Sequence, residues 1–160
     1  MKVYYGKAVY GQKEILASTK VLKNKSLTLI DGPAVKNIEK KVAKLFGKRF
    51  GLMVNSGSSA NLLALESLNL PKKSEVITPT LTFSTTVSPI VQANLIPKFI
   101  DVEKLTFLSR IDQIEKAITN KTSAIMIPNL IGNVPNWKKI YSIAKKYNLK
   151  VIEDSADTIG

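Results

Sequence analysis

Apolar positions recur with helical spacing in two stretches near the start of the chain. In residues 11–25 and again in residues 34–46, apolar side chains stand three or four positions apart, which predicts two helices. Gly47 follows the second stretch, and a glycine just beyond the last turn is a common helix stop. The first part of the chain is therefore predicted to be helical.

From residue 50 onward, short apolar runs alternate with helical patterns. The runs predict strands at residues 50–54, 75–78, 97–102, 123–127 and 149–153, of which the first is expected to be buried. The patterns between them predict helices at residues 59–69, 82–93, 111–118 and 136–147. The helix at 82–93 is expected to bend near Pro89, and Ser109 is expected to cap the helix at 111–118, with Asp112 three residues on.

This alternation of strands and helices predicts an α/β fold. Repeated βαβ units form a mostly parallel sheet, and right-handed crossovers place helices on both of its faces. No internal repeat or obvious linker interrupts the 160 residues, which suffice for one domain with a single core. Because the last predicted strand lies so close to Gly160, we expect the chain to be the front part of something larger.

Charge and hydropathy favour a soluble, cytoplasmic protein. The chain is 44% apolar and 22% charged, with no apolar run of about 18 residues and no apolar segment of a secretory signal. The net charge of +12 raises the question of nucleic acid, but the lysines are scattered over predicted helices and are not interleaved with aromatics. We expect a solvated basic surface, without nucleic-acid or membrane partners. The alternative, a nucleic-acid-binding domain, predicts binding with a steep salt dependence.

The absence of cysteine and histidine limits the possible chemistry. Without them the chain cannot form a disulfide framework, a Ser-His-Asp or Cys-His catalytic site, or a thiolate or histidine-rich zinc site. We therefore expect no metal centre. Any catalysis has to use carboxylates, lysines, hydroxyl groups, backbone amides or a bound cofactor.

Polar and small residues follow most of the predicted strands. Ligands of open α/β sheets bind just beyond the carboxyl ends of the strands. The segments at those ends are residues 55–59, 78–83, 101, 128–133 and 154–157. Four of the five are rich in polar or small side chains, which predicts one shared crevice.

The segment at residues 55–59 is suited to hold a phosphate. Free N–H groups and the positive end of the helix dipole favour an anion, Gly57 allows close backbone approach, and Ser58 and Ser59 add hydroxyl donors. An ordinary serine cap, which needs no ligand, explains the same residues. The segment is neither a Walker loop nor a dinucleotide-binding glycine turn, because it lacks both motifs.

Two further strand ends carry residues suited to a flat, nitrogen-containing ring. Asp154 ends a strand that is predicted to be buried, so its carboxylate needs a partner such as a protonated heterocyclic nitrogen. A helix cap or a structural ion pair would satisfy it equally well. Phe83 could stack on a flat ring or could belong to the core.

Together these segments resemble the pyridoxal-phosphate sugar aminotransferases of the DegT/DnrJ/StrS group. The resemblance covers essentially the whole chain and rests on five motifs in the right order, among them "VKNIEKKVAKLFGKRFGLMVNSGSSANLLAL", "EVITPTLTFSTTVSPIVQANLIPKFIDVE" and "VIEDSADTIG". It implies that residues 1–160 are the N-terminal part of the large domain of a fold-type-I aminotransferase. It further implies pyridoxal or pyridoxamine 5'-phosphate as cofactor, nucleotide-linked keto-sugars as substrates and a homodimer at full length.

The resemblance also assigns roles to individual residues. Gly57, Ser58 and Ser59 match the loop that holds the cofactor phosphate. Phe83 matches the aromatic that stacks on the pyridine ring, and Asp154 matches the acid that keeps the pyridine nitrogen protonated.

Asp157 stands where the aminotransferases usually carry glutamine or histidine near the ring oxygen. An aspartate there, together with Gly132 and Asn133, looks more like the nucleotide-sugar 3-dehydratase branch. Asn129 departs from both branches, in which histidine is common at this position, so its contacts are left open.

The resemblance implies parts that this chain does not contain. The Schiff-base lysine, replaced by histidine in the dehydratases, is expected beyond Gly160, and a small C-terminal domain is absent. Lys150 precedes its strand's carboxyl end and is not a candidate, so no catalytic residue is expected within the chain. The leading hypothesis is an aminotransferase of polysaccharide or deoxy- and aminosugar biosynthesis. The alternatives are a 3-dehydratase of the CDP-4-keto-6-deoxyglucose type and a catalytically silent fragment that binds cofactor or a partner.

Overall fold

The computed structural model describes residue 2, residues 6–26 and residues 28–158. The chain divides into two compact units, Met1–Met53 and Val54–Gly160. Within the described part, no helix is both long and apolar enough to cross a bilayer.

The first unit contains the two helices that its periodicity predicts. They are α1 (Gln12–Lys23) and α2 (Pro33–Leu45). Gly47 follows α2 with φ of 59°, and the N–H of Lys48 donates to the carbonyl of Ala43 at 2.7 Å. This is the left-handed glycine stop of a Schellman motif, as the sequence predicts.

The second unit alternates helices and strands and holds every residue of the predicted crevice. Its elements are α3 (Gly57–Glu66), β1 (Glu75–Pro79), α4 (Ser84–Gln92), β2 (Ile96–Ile100), α5 (Ile111–Ala117), β3 (Thr122–Pro128), α6 (Trp137–Lys146) and β4 (Lys150–Asp154). A single 3₁₀ turn, Leu130–Gly132, follows β3. Four of the five predicted strands and all four predicted helices of this region are confirmed.

The four strands form one parallel sheet in the order β2-β1-β3-β4. β2 pairs with one edge of β1. The chain then crosses over, and β3 pairs with the other edge of β1. The strand order therefore reverses between β1 and β3, and such a switch point opens a crevice at the carboxyl ends of the two strands. At the same edge, Asp154 of β4 lies beside Pro128 of β3.

Helices cover both faces of this sheet, as predicted. On one face, a buried cluster joins α3 and α4 to the strands through Leu65, Val76, Ile90, Met126 and Ile152. On the other face, α5 and α6 pack through Ile77, Ile114, Ile125, Ile140 and Ala144. Successive strand residues alternate between the two clusters, because strand side chains point to opposite faces in turn.

The predicted strand at residues 50–54 is wrong. This segment has no regular secondary structure, and Phe50 and Leu52 are 77% and 74% exposed. It crosses the boundary between the two compact units, and none of the four described strands pairs with it. An apolar run becomes a strand only when another strand satisfies its backbone groups.

The predicted cap of α5 is also wrong. Arg110, not Ser109, occupies the N-cap position, and its guanidinium pairs with Asp112 at 2.9 Å. Ser109 is instead buried and forms an isolated antiparallel bridge with Val102. Because this bridge fixes its backbone, Ser109 belongs to the preceding turn and not to the helix.

Candidate active site at the carboxyl ends of the strands

Asp154 is the buried acid of the predicted crevice. It ends β4, and only 8% of it is exposed. Its Oδ2 accepts hydrogen bonds from Asn61 Nδ2 and Thr86 Oγ1, both at 2.8 Å, and its Oδ1 accepts the backbone N–H of Ala156 at 3.2 Å. Among the described residues it forms no ion pair. Within the part of the chain that the structure describes, hydrogen bonds hold this carboxylate, and neither a helix cap nor an ion pair does.

The N-terminus of α3 carries the residues of the predicted phosphate seat. Ser56 is its N-cap, with its Oγ accepting the N–H of Ser59 at 3.2 Å, so the ordinary serine cap exists. Gly57 and Ser58 follow in the first turn and are exposed. A Cβ at Gly57 would meet nothing within 4 Å, and its φ is not positive. The fold itself therefore does not require glycine at this position.

Phe83 lies at the start of α4. It occupies the N-cap position of this helix and is 69% exposed, so it is not a core residue. Thr86, which binds Asp154, follows one turn later in the same helix. The exposed ring and the buried acid are thus connected through a single turn of α4.

Asp157 is held against the turn that follows β3. Its Oδ2 accepts the N–H of Ile131 at 3.0 Å, and Ile131 has the left-handed φ of 55°. This contact helps to fix a turn whose backbone is costly for a β-branched residue. The structure does not join Asp157 by a hydrogen bond to the described cluster around Asp154, so its place near a ring oxygen stays a prediction.

Asn129, whose contacts the sequence leaves open, connects three elements. Its Nδ2 donates to Glu153 Oε1 at 2.8 Å and to Ser155 Oγ at 3.0 Å, and its Oδ1 accepts Trp137 Nε1 at 2.9 Å. It is 3% exposed, so these bonds satisfy a buried amide. Burial, together with the charge of Glu153, raises the pKa of nearby Tyr141.

Asn61 and Thr86 are the site residues that sequence reasoning missed. Both lie in helices and are buried, with exposures of 7% and 0%. Each stands four positions before a buried apolar residue, Asn61 before Leu65 and Thr86 before Ile90, and so shares its helix face. A polar residue on the apolar face of a predicted helix is the sequence signal that could have identified both residues.

Lys150 lies where the sequence places it. It is exposed and is the first residue of β4, whereas Asp154 is the last.

The chain as a whole matches a known family. The DegT/DnrJ/EryC1/StrS aminotransferase family model matches residues 9–160. This chain belongs to that family.

Two relatives within the family have different activities by name. The chain is 42% identical over 142 residues to a dTDP-4-dehydro-2,6-dideoxy-D-glucose 3-dehydratase of Saccharopolyspora spinosa, a match covering 84% of this chain and 31% of the relative. It is 36% identical over 129 residues to a GDP-perosamine synthase of Escherichia coli O157:H7, covering 81% of this chain and 35% of the relative.

A solved family structure has the same fold. It is a GDP-4-keto-6-deoxymannose-3-dehydratase with a trapped PLP-glutamate geminal diamine, and it matches with a TM-score of 0.91 at 33% identity. The match covers 99% of this chain and 42% of the solved chain. This chain therefore spans about a third to two fifths of the length of the family members it matches.

Proposed function

We propose that residues 1–160 are the N-terminal, cofactor-binding part of the large domain of a pyridoxal-phosphate enzyme that acts on nucleotide-linked keto-sugars. At full length it works as a cytoplasmic homodimer in polysaccharide or deoxy- and aminosugar biosynthesis. The observation that carries the proposal is the buried carboxylate of Asp154, which has hydrogen-bond partners but no cation among the described residues. A buried anion of this kind suits a protonated ring nitrogen.

The other predicted residues fit the same cofactor. The α3 N-terminus presents exposed Gly57 and Ser58 to a phosphate, and the helix dipole favours the phosphate charge. Phe83 presents an exposed ring at the start of α4, where it can lie against a flat heterocycle. When bound, the cofactor ring supplies an electron sink for the substrate carbon next to it. Asp154 supports that role by holding a proton on the ring nitrogen.

The reaction is either 3-dehydration or transamination. The 42% identity to a 3-dehydratase, together with Asp157, supports dehydration, and the match to an aminotransferase family model supports transamination. Both reactions need a residue that accepts and returns the substrate proton. We place it beyond Gly160, as lysine for transamination or histidine for dehydration. Sequencing the reading frame past the Gly160 codon decides between the two.

Cofactor binding can be tested on the chain itself. Pyridoxamine 5'-phosphate is the suitable probe because it has no aldehyde to react with the many surface lysines. Its absorbance allows it to quench the single tryptophan, Trp137, whose ring nitrogen donates a hydrogen bond to Asn129. Titration should show saturable quenching, weakened about tenfold or more in Asp154→Asn because a charge-assisted hydrogen bond is lost.

The matched control is Asp112→Asn, which removes a surface carboxylate paired with Arg110. This variant should bind the probe like the unmodified chain. Equal binding by the Asp154 and Asp112 variants would contradict the proposed role of Asp154.

A further inference from the structure

Two buried side chains converge on one oxygen of the acid. Asn61 Nδ2 and Thr86 Oγ1 both reach Asp154 Oδ2 at 2.8 Å. The other oxygen, Oδ1, accepts only the N–H of Ala156, at 3.2 Å. An ionised carboxylate has about four lone-pair sites, so Oδ1 keeps the capacity for another donor. The arrangement fixes the carboxylate plane and leaves Oδ1 as the oxygen for a ligand N–H.

Both N–H groups of the Asn61 side chain are used, and one of them donates to the acid. Its second Nδ2 hydrogen bond goes to the carbonyl of Thr85, at 3.1 Å. In a regular helix that carbonyl would accept the N–H of residue 89, but Pro89 has none. The proline inside α4 thus frees a backbone acceptor, and Asn61 uses it to join α3 to α4 beside the acid.

The hydroxyl of Thr86 is oriented in the same way. A carboxylate can only accept, so the single hydroxyl hydrogen of Thr86 points to Asp154. Its oxygen in turn accepts the hydroxyl of Thr82 at 2.9 Å. Thr82 precedes α4 and is partly exposed, whereas Thr86 is completely buried. The two threonines form a directed chain of hydroxyl groups that ends on the acid.

We infer that Thr86, oriented by Thr82, and Asn61 are positioning residues that aim Asp154 Oδ1 at the ring nitrogen of the cofactor. This inference rests on the proposed function and specifies how the acid is held. These residues act through Asp154 and are not themselves catalytic. Their removal should therefore weaken only the part of cofactor binding that depends on the ring nitrogen.

The test compares two probes that differ at one atom. Pyridoxamine 5'-phosphate carries the ring nitrogen, and its 1-deaza analogue carries a C–H group in its place. The dissociation constants of both are measured by Trp137 quenching for the unmodified chain, Thr86→Val, Thr86→Ser and Thr82→Val. Valine keeps the shape of threonine without the hydroxyl, and serine keeps the hydroxyl.

The expected result is a selective loss. Thr86→Val should bind pyridoxamine 5'-phosphate about tenfold more weakly, because the acid loses a hydrogen bond, while binding of the deaza analogue is unchanged. Thr86→Ser should behave like the unmodified chain. Thr82→Val, at a partly exposed position before α4, should show a smaller selective loss of about threefold.

Two outcomes overturn the inference. If Thr86→Val and Thr82→Val weaken both probes equally, the threonines have a structural role only, and if they weaken neither, the threonines have no role. A different result tests the proposed function itself. An unmodified chain that binds neither probe contradicts the proposed cofactor site. One that binds both probes equally contradicts the pairing of Asp154 with the ring nitrogen, and either result overturns the inference.

Discussion

The side-chain amide of Asn61 donates to the carboxylate of Asp154 at 2.8 Å across 93 positions of sequence. Asn61 stands in the second turn of α3, the helix whose first turn is the proposed phosphate seat, and Asp154 ends β4. One buried hydrogen bond therefore ties the seat to the acid. The spacing between the two is set by rigid elements and not by loops.

Asn61→Ala should destabilise the second unit. The buried carboxylate would lose a donor, and the carbonyl of Thr85 would lose its side-chain partner, so we expect the free energy of unfolding to fall by about 2 kcal/mol. Urea unfolding followed by Trp137 fluorescence measures it. Asn133→Ala removes an exposed amide that bonds to Thr106 and should cost less than about 0.5 kcal/mol. Equal losses would show that burial of the acid is not the cause.

Thr78→Val should make the protein more stable. Thr78 is completely buried in β1, and its Oγ1 has no hydrogen-bond partner among the described residues. Replacing this hydroxyl with a methyl group of similar size should raise the free energy of unfolding by about 1 kcal/mol.

The control for Thr78 is the same substitution at Thr122, where the hydroxyl is used. Thr122 Oγ1 donates to Glu75 at 3.0 Å and accepts the N–H of Thr119 at 2.9 Å. Thr122→Val should therefore lower the free energy of unfolding by about 1–2 kcal/mol. Effects of the same sign at both positions would contradict this account.

Gly57→Ala should separate folding from ligand binding. Since a Cβ at Gly57 meets open space and φ is not positive, alanine should raise the free energy of unfolding by about 0.5 kcal/mol. The same methyl group stands in the proposed phosphate seat, so binding of pyridoxamine 5'-phosphate should weaken. Gly132→Ala, at φ of 80°, should instead lower stability by about 1 kcal/mol. Unchanged probe binding by Gly57→Ala would count against the seat.

Protonation of Glu75 should lower the free energy of unfolding at acidic pH. The hydroxyl of Thr119 lowers the pKa of Glu75 most, and Thr122 and Lys98 lower it further against the opposing effect of burial. Because the folded-state pKa lies below the ordinary value of 4.5, this stabilisation is present above that value and is lost as the pH falls through the lowered pKa.

Glu75→Gln should consequently flatten the dependence of stability on pH below about 4.5, which denaturant unfolding at several acidic pH values can measure. Glu66→Gln, at the end of α3, is the matched exchange of an exposed carboxylate. If the Glu66 variant flattened the curve as much, the hydrogen bonds to Glu75 would not be its cause.

The alternating pattern predicted most of the fold because its signals are local. β1 to β4 are short apolar runs between helical patterns, and Gly47 stops α2 through its own backbone freedom. Residues 50–54 carry the same kind of run but have no pairing partner in the described sheet. Pairing depends on distant residues, which a window of neighbouring positions does not contain.

The site was predicted in part for the same reason. Asp154 follows from its position at a strand end and Gly57 from its position at a helix start, and both positions can be read along the chain. Asn61 and Thr86 lie inside helices, and the role of each becomes clear only from its hydrogen bond to an acid far away in sequence. The sequence predicts that they lie on a buried helix face, but it does not predict that both bind Asp154.

The strand order also sets an order of assembly. β1 and β2 are joined through α4 alone and close the shortest loop of the sheet, whereas β1 and β3 must enclose β2 and α5. Closing a shorter loop costs less chain entropy, so we expect β1, α4 and β2 to fold first, β3 and β4 to pair next, and the two strand pairs to join last. Pulse-labelled hydrogen exchange should then protect β1 amides before those of β4. Thr86 would already be in place when Asp154 arrives, and the cofactor site would be the last part of the unit to mature.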